Sequence, residues 1–348
     1  MFDTLTESST VLPSNYQSFF GENIKINRNY KASTDKPAIG ILGLDESADA
    51  IRRELFKLSD QLNECEIIDL GNLKADHESH ISNLFGNLLS NNILPIFISP
   101  ISGNILSHVQ SILKVQSYST LMMVHPSLAD EPEISEILKH ELKEGHLKLK
   151  YIGHQAHITS LKSLDQVQES GIETMRLGHI RQNIDRVEPW CRSIDHTIFH
   201  LNALRKTDYP VKESTNPGGL YYEEACKISQ FLGASSHLKS IGFYGYNAPL
   251  DKDLTSAAVI AQLIWYFIDG FIHFRENSSI QKSKLIQYTV HASHAELDIN
   301  FWKSNESGRW WMEVPGQPDH WVSCTYDDYL EASHGEFSAR LINVLNRG

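Results

Sequence analysis

Short apolar runs alternate with segments of helical apolar spacing through the first half of the chain. The apolar runs predict buried strands at PAIGILGL (37–44), CEIIDLG (65–71), ILPIFISP (93–100), STLMMVHP (119–126) and LKLKYIGHQ (147–155). The segments between them predict helices over 46–62, 78–92, 102–116, 133–145 and 163–171, the last of which starts at Ser163 and stops at Gly171. Two further strands are predicted where apolar runs end at Phe199 and Tyr244.

This alternation predicts right-handed βαβ crossovers, and therefore a three-layer α/β/α fold with a mainly parallel sheet. Residues 1–36 lack a clear pattern and are predicted to form an N-terminal arm, with residues 37–348 as a single α/β domain. Ligands of such sheets bind beyond the carboxyl ends of the strands. The residues that directly follow the strands are therefore the candidates for function.

The longest apolar stretch (256–274) is interrupted by Gln262, Asp269 and His273. Its apolar positions have helical spacing, so it is predicted to be a core helix and not a membrane span. The N-terminus is polar and acidic, which does not predict a signal peptide. We therefore expect no membrane insertion.

Charge and cysteine content argue against several classes of partner and of structural site. The chain has 348 residues, a net charge of −12 and no lysine or arginine cluster, which argues against a nucleic-acid or anionic-membrane partner. Its four cysteines form no CxxC pair, so neither a zinc ribbon nor a disulfide framework is predicted. Reduced thiols in a cytoplasmic protein are the expectation.

Several segments resemble the ureohydrolase superfamily (arginase, agmatinase, formimidoylglutamase), and most closely its formimidoylglutamase-like branch. They are RLGHIRQNIDRVEP (176–189), LNALRKTDYP (201–210), NPGGLYYEEACKISQFLG (216–233), GFYGYNAP (242–249), AQLIWYFIDGF (261–271) and KSNESGRWWMEVP (303–315). The resemblance implies an arginase-like fold. It also implies the chemistry of the relatives, in which two manganese ions held by two histidines and four aspartates activate a hydroxide that attacks a guanidine or amidine carbon.

The residues at the family's site positions are different in this chain. Ser102 stands where the G-G-x-H motif has its histidine, and Gly245 stands where the relatives have a substrate-facing glutamate. The remaining vestigial positions, in the D-A-H-x-D and D-x-D motifs, are His125, Ser127, Ala129, His200 and Asn202. None is a carboxylate, and neutral side chains cannot balance the charge of two buried divalent ions. We therefore predict no metal cofactor and no catalytic residue.

Alternatives remain open at this stage. His125 and His200 are either two hydrogen-bonded histidines that fill a vacated pocket or the ligands of a single zinc or nickel ion. His108, His154 and His157 are expected near the same edge of the sheet, as structural histidines or as further ligands.

A pair of glutamates and a group of four tryptophans are better explained by structural roles than by catalysis. Glu223 and Glu224 open a predicted helix, where acids complement the helix dipole. Four tryptophans near the C-terminus predict a packed edge, a subunit contact or a binding surface; they are Trp302, Trp310, Trp311 and Trp321.

The favoured hypothesis is a ureohydrolase-fold pseudoenzyme that acts as a cytoplasmic scaffold, regulatory or interaction protein. Because the relatives commonly form trimers or hexamers, a homo-oligomer or a protein partner is expected. The alternatives are a divergent metal-dependent hydrolase of linear amidines or guanidines, and a sensor whose vacated pocket binds a metabolite.

Overall fold

The computed structural model describes residues 5–6, 24–26, 38–59, 65–73, 78–100, 102–128, 145–275, 282–292, 297–317, 320–336 and 342. Most of the predicted N-terminal arm, Ala129 and residues 133–144 of the helix predicted over 133–145 lie outside these residues. The described parts of the arm are two short strands, both of which pair with the edge of the main sheet.

Ten described strands form the main sheet, and all pair in parallel except the first, which is antiparallel to its neighbour. The spatial order is β1-β4-β3-β5-β10-β9-β6-β7-β8, with β2 also beside β4. The strands are β1 (Leu5–Thr6), β2 (Lys25–Ile26), β3 (Ala38–Gly43), β4 (Glu66–Leu73), β5 (Ile93–Ser99), β6 (Ser119–Val124), β7 (Leu147–His154), β8 (Glu173–Arg176), β9 (His196–His200) and β10 (Ser240–Tyr244).

Helices cover both faces of this sheet. The described α-helices are α1 (Ala48–Leu55), α2 (Glu78–Ser90), α3 (Asn104–Val115), α4 (Leu161–Glu169), α5 (Leu177–Gln182), α6 (Glu188–Cys191), α7 (Tyr222–Gly233), α8 (Thr255–His273) and α9 (Tyr326–Ser333). One apolar core lies between the sheet and α1, α7 and α8, and the other lies between the sheet and α2, α3 and α4. The strands supply both cores because their side chains alternate between the faces. The predicted three-layer α/β/α fold is confirmed.

A second sheet, which the hydrophobic pattern did not reveal, follows the main domain. Its four antiparallel strands are β11 (Leu285–Ala292), β12 (Leu297–Ser304), β13 (Trp310–Glu313) and β14 (Trp321–Cys324). The Trp302 and Trp321 rings stack with centroids 5.4 Å apart. The Arg192 guanidinium lies 4.8 Å from the Trp311 ring centroid and donates a 2.8 Å hydrogen bond to the Trp310 carbonyl. The aromatic segment therefore packs against the body of its own chain.

Two helix boundaries show how local capping works. α4 begins two residues before the predicted start, because Ser160 is its N-cap and accepts a hydrogen bond from the Ser163 backbone N–H. At α7, the Glu224 carboxylate accepts a 2.7 Å hydrogen bond from the Tyr221 backbone N–H. Glu224 therefore caps its helix, as the structural interpretation of this residue predicted.

The apolar helix α8 packs directly on α7 through two glycines. It is long and apolar enough to span a membrane, but 61% of its most apolar window is buried within the protein. A Cβ atom at Gly233 would lie 1.9 Å from the Phe267 carbonyl oxygen, and one at Gly270 would lie 2.1 Å from that of Gln230. The backbones of α7 and α8 therefore approach so closely that only glycine fits at these two positions.

Gly270→Ala is expected to lower the free energy of unfolding by about 1–3 kcal/mol, because the added methyl group meets rigid backbone. Urea denaturation measures the change. Gly178→Ala is the matched control: Gly178 also lies within a helix, but its Cβ would have no neighbour within 4 Å. The control should be neutral or slightly stabilising, by up to about 1 kcal/mol. Equal effects of both substitutions would contradict the close approach of α7 and α8.

Candidate functional site

The carboxyl ends of four adjacent strands bring together side chains that are far apart in sequence. Ser102 follows β5, His125 follows β6, His200 ends β9, and Gly245 follows β10. The Ser102 hydroxyl lies 2.8 Å from His200 Nε2, and the ring centroids of His125 and His200 are 4.7 Å apart. Both histidines are buried. The structure therefore places these predicted positions in one polar cluster, which we call the strand-end cluster.

The hydrogen bonds of His200 assign its proton. Its Nδ1 accepts a 3.1 Å hydrogen bond from the Asn202 backbone N–H, so this nitrogen carries no proton. In the neutral ring the proton is then on Nε2, which donates to the Ser102 hydroxyl oxygen. Both ring nitrogens are thus engaged by the protein, and neither offers a lone pair to a metal ion.

His125 is held by the turn that follows β6. Its Nδ1 lies 2.8 Å from the Ser127 carbonyl oxygen and 3.2 Å from the Ser127 backbone nitrogen. The backbone of Ser127, and not its side chain, therefore holds the His125 ring in place. A single ion shared by His125 and His200 would require His200 to give up its bond to Ser102 or to Asn202.

Gly245 and His200 occupy complementary space. Gly245 has φ of +93°, a backbone conformation that favours glycine. A Cβ atom there would lie 3.3 Å from His200 Cε1. The imidazole therefore fills the space that a side chain at position 245 would enter. A glutamate at this position would be strained and would crowd His200.

A serine hydroxyl bonded to histidine also occurs in serine hydrolases, where the histidine accepts the hydroxyl proton. In this chain His200 Nε2 carries a proton, because Nδ1 is occupied by the Asn202 N–H. The Asn202 backbone N–H that contacts Nδ1 is a donor, whereas the acidic partner in a catalytic triad is an acceptor that holds the opposite tautomer. The Ser102–His200 pair is therefore not arranged to activate a nucleophile.

The strand-end cluster does not fit the pair of manganese ions that the resemblance implies. Manganese prefers carboxylate and other anionic oxygen ligands, whereas the described members of the cluster include no carboxylate. Across the described ranges, no group of three or more histidine, cysteine, aspartate or glutamate side chains is placed to hold a metal ion. Asp195 lies at the opposite, amino edge of the sheet, where it accepts from the Thr120 N–H and pairs with Lys239.

His108 was predicted near the strand-end cluster, and this placement was wrong. It lies between α3 and the sheet, where its Nε2 is 3.0 Å from the Ser240 hydroxyl at the amino end of β10. His108 Nδ1 is 2.8 Å from the Tyr244 hydroxyl, because the Tyr244 ring extends back over Gly242. The direction of a helical side chain depends on how the helix is rotated against the sheet, which the order of elements does not specify.

A continuous chain of buried hydrogen bonds runs from His108 toward the surface. His196 Nδ1 lies 2.7 Å from the Ser240 hydroxyl, and its Nε2 lies 3.2 Å from Gln116 Oε1. Gln116 Oε1 is an acceptor, so His196 carries its proton on Nε2 and accepts from Ser240 at Nδ1. Ser240 then accepts from His108 Nε2, and His108 Nδ1 accepts from the Tyr244 hydroxyl. The donor and the acceptor of each hydrogen bond in this buried histidine chain are therefore assigned.

Burial also determines the protonation of these histidines. It lowers the pKa of His108 from 6.5 to about 3, and it lowers the pKa of His196 well below the ordinary value. His154, which ends β7, is buried too, and its pKa falls to about 4 through burial and the nearby Arg176 charge. His157 is exposed on the turn after β7. His108, His154 and His196 are therefore neutral near pH 7.

A buried ionic network that sequence analysis missed lies at the ends of β3 and β4. The Arg52 guanidinium is fully buried, 3.0 Å from the Asp49 carboxylate and 2.9 Å from the Asp69 carboxylate. It also donates to the Gly71 carbonyl at 2.7 Å, and the Asn72 amide donates to Asp49 at 2.9 Å. Arg52 lies on the apolar face of a predicted amphipathic helix, and this unusual position was the feature of the sequence that could have indicated the network.

Comparison with solved structures gives clear matches. The formimidoylglutamase from Bacillus subtilis matches with a TM-score of 0.64 and 15% identity, over 77% of this chain and 96% of that chain. The Trypanosoma cruzi formiminoglutamase with Mn²⁺ matches with a TM-score of 0.61 and 15% identity, over 70% and 97%. The arginase from Bacillus cereus matches with a TM-score of 0.57 and 14% identity, over 67% and 98%. No family model matches the chain, and no curated protein matches it.

Identity at this level shows a shared fold, while the chemistry of each protein depends on the residues at its own site. These matches cover two thirds or more of this chain and nearly all of each matched chain. The chain therefore has an arginase-like α/β fold.

Proposed function

We propose that this protein is a ureohydrolase-fold pseudoenzyme, which has no binuclear manganese site and acts as a cytoplasmic scaffold, regulatory or interaction protein. The observation that supports it most directly is the bonding of His200. Its two ring nitrogens contact Ser102 and the Asn202 backbone, so this residue, at a position where the resemblance implies a metal ligand, is part of a hydrogen-bonded cluster. Assembly with itself or with another protein is part of the same proposal.

The surroundings of Gly245 also support the loss of hydrolytic chemistry. Position 245 has no carboxylate, and a Cβ atom there would lie 3.3 Å from His200 Cε1. Without that anion, a guanidinium or amidinium group would lose its charge-assisted hydrogen bonds. The cluster is packed as a polar core: Ser102 bonds to His200, and the His200 ring lies against Gly245.

Metal analysis and substrate assays test this proposal together. After expression in manganese-supplemented medium, the purified protein is expected to hold far less than one manganese ion per chain. It should release no urea or formamide from arginine, agmatine or formimidoylglutamate. His200→Asp should not restore activity, because a two-metal site needs its ligands together.

The Bacillus cereus arginase, purified in parallel, is the positive control for metal retention and for urea release. Stoichiometric manganese in this protein would overturn the pseudoenzyme proposal. So would turnover of any of these substrates that His125→Ala abolishes, which would instead support the divergent hydrolase.

A further inference from the structure

A polar cavity of about 380 Å³ lies at the carboxyl ends of β3 and β4, beside the start of α1. Its lining includes Glu46, Asp49, Arg53 and Asn72. Thr6 of β1 and Ala248, on the turn after β10, complete the wall. No described member of the strand-end cluster is part of this lining. The cavity is therefore separate from the strand-end cluster, although both lie at the edge of the sheet where α/β proteins bind ligands.

The floor of the cavity is rigid before any ligand binds. Asp49 and Asn72 are 8% and 1% exposed, and both contact the buried Arg52 guanidinium. The Asn72 amide also donates to Asp49. Because these contacts hold the two polar side chains in place, a ligand would meet a preorganised surface, which lowers the entropy lost on binding.

Two charges of opposite sign face the cavity from its walls. Glu46 precedes α1 and Arg53 lies in its second turn, and both side chains are exposed. In the part of the chain that the structure describes, neither makes an ion pair with another residue. The cavity therefore offers the Glu46 carboxylate and the Arg53 guanidinium, while the Asp49 carboxylate in its floor is paired with Arg52.

The remaining lining limits the ligand further. Its apolar members are the small side chains of Ala50 and Ala248, and its other members are polar. Pockets for small molecules usually measure about 300–1,000 Å³, and this one is near the lower limit. These features favour a small hydrophilic molecule that carries one cationic and one anionic group.

We propose that this cavity binds a free amino acid, with its ammonium group facing Glu46 and its carboxylate facing Arg53. The guanidinium provides paired donors for a carboxylate, and such charge-assisted hydrogen bonds are stronger than neutral ones. Amide or charged side chains of the ligand would find partners at Asn72 and Ser47 in the lining. The proposal does not depend on the absence of catalysis at the strand-end cluster.

Calorimetric titration of the full chain with L-glutamine, L-glutamate and L-arginine tests this proposal. At least one should bind with a Kd of about 1 mM or tighter. For L-glutamine the matched probes are 4-aminobutanamide, which lacks the carboxylate, and glutaramate, which lacks the ammonium group. If L-glutamine binds, each matched probe should bind at least about tenfold more weakly, because it leaves one protein charge unpaired.

Glu46→Gln and Arg53→Gln should each weaken amino-acid binding by about tenfold or more. Both positions are exposed, so the variants should fold. Glu306→Gln removes a charge from an exposed pair in the second sheet and should change nothing. Absence of binding by all three amino acids would overturn the proposal. Binding that His200→Ala abolishes and Glu46→Gln leaves intact would also overturn it, by placing the ligand at the strand-end cluster.

Discussion

The stability of the protein is expected to fall steeply as the pH drops from about 6 to 4. His108 has a folded-state pKa of about 3 and His196 one well below 6.5, whereas both take an ordinary pKa near 6.5 when the chain unfolds. Between these values the unfolded chain binds a proton at each histidine and the folded chain does not. Stability is therefore full above pH 6.5 and is lost as the pH falls.

His108 alone lowers the free energy of unfolding by about 1.4 kcal/mol per pH unit in this window. His196 and His154, whose pKa values are also lowered by burial, act in the same direction. Urea denaturation at a series of pH values measures the slope. His108→Gln keeps a donor and an acceptor but removes the titrating group, so its slope should be smaller by about 1.4 kcal/mol per unit. An unchanged slope in this variant would show that His108 does not stay neutral in the folded protein.

Arg52→Met is expected to lower the free energy of unfolding by about 3–5 kcal/mol, because it leaves two buried carboxylates without their guanidinium. The carboxylates are those of Asp49 and Asp69, which lie 3.0 Å and 2.9 Å from Arg52. Chemical denaturation at neutral pH measures the effect. The neighbouring Arg53→Met is the matched control: Arg53 is exposed, so the change should stay within about 0.5 kcal/mol.

Adding Asp69→Asn to Arg52→Met should recover part of the lost stability, because it removes one of the unpaired charges. The recovery measures the coupling between the two residues, which is about 0.5–3 kcal/mol for groups in direct contact. Equal losses in Arg52→Met and Arg53→Met, or no recovery in the double variant, would contradict the buried ionic network.

Some contacts were foreseen from the order of elements and others were not. The approach of His125 to His200 follows from their positions directly after adjacent parallel strands, since the carboxyl ends of such strands share one edge. The bond between His200 and the Asn202 backbone has no sequence signal, because it depends on the turn that follows β9. The second sheet was missed because β11–β14 are antiparallel strands of mixed polarity that produce no continuous apolar run.

The sequence by itself determined the layered architecture of this protein and the lack of carboxylates at the candidate site positions. Strand and helix periods are local properties of the chain, and the identities of Ser102 and His200 are visible without coordinates. Only the tertiary structure decided which side chains meet: Ser102 with His200 across 98 residues, and Gly233 with Phe267 at the crossing of α7 and α8. The reason is physical, since such contacts depend on helix rotation and on close packing between distant segments, which local periodicity does not specify.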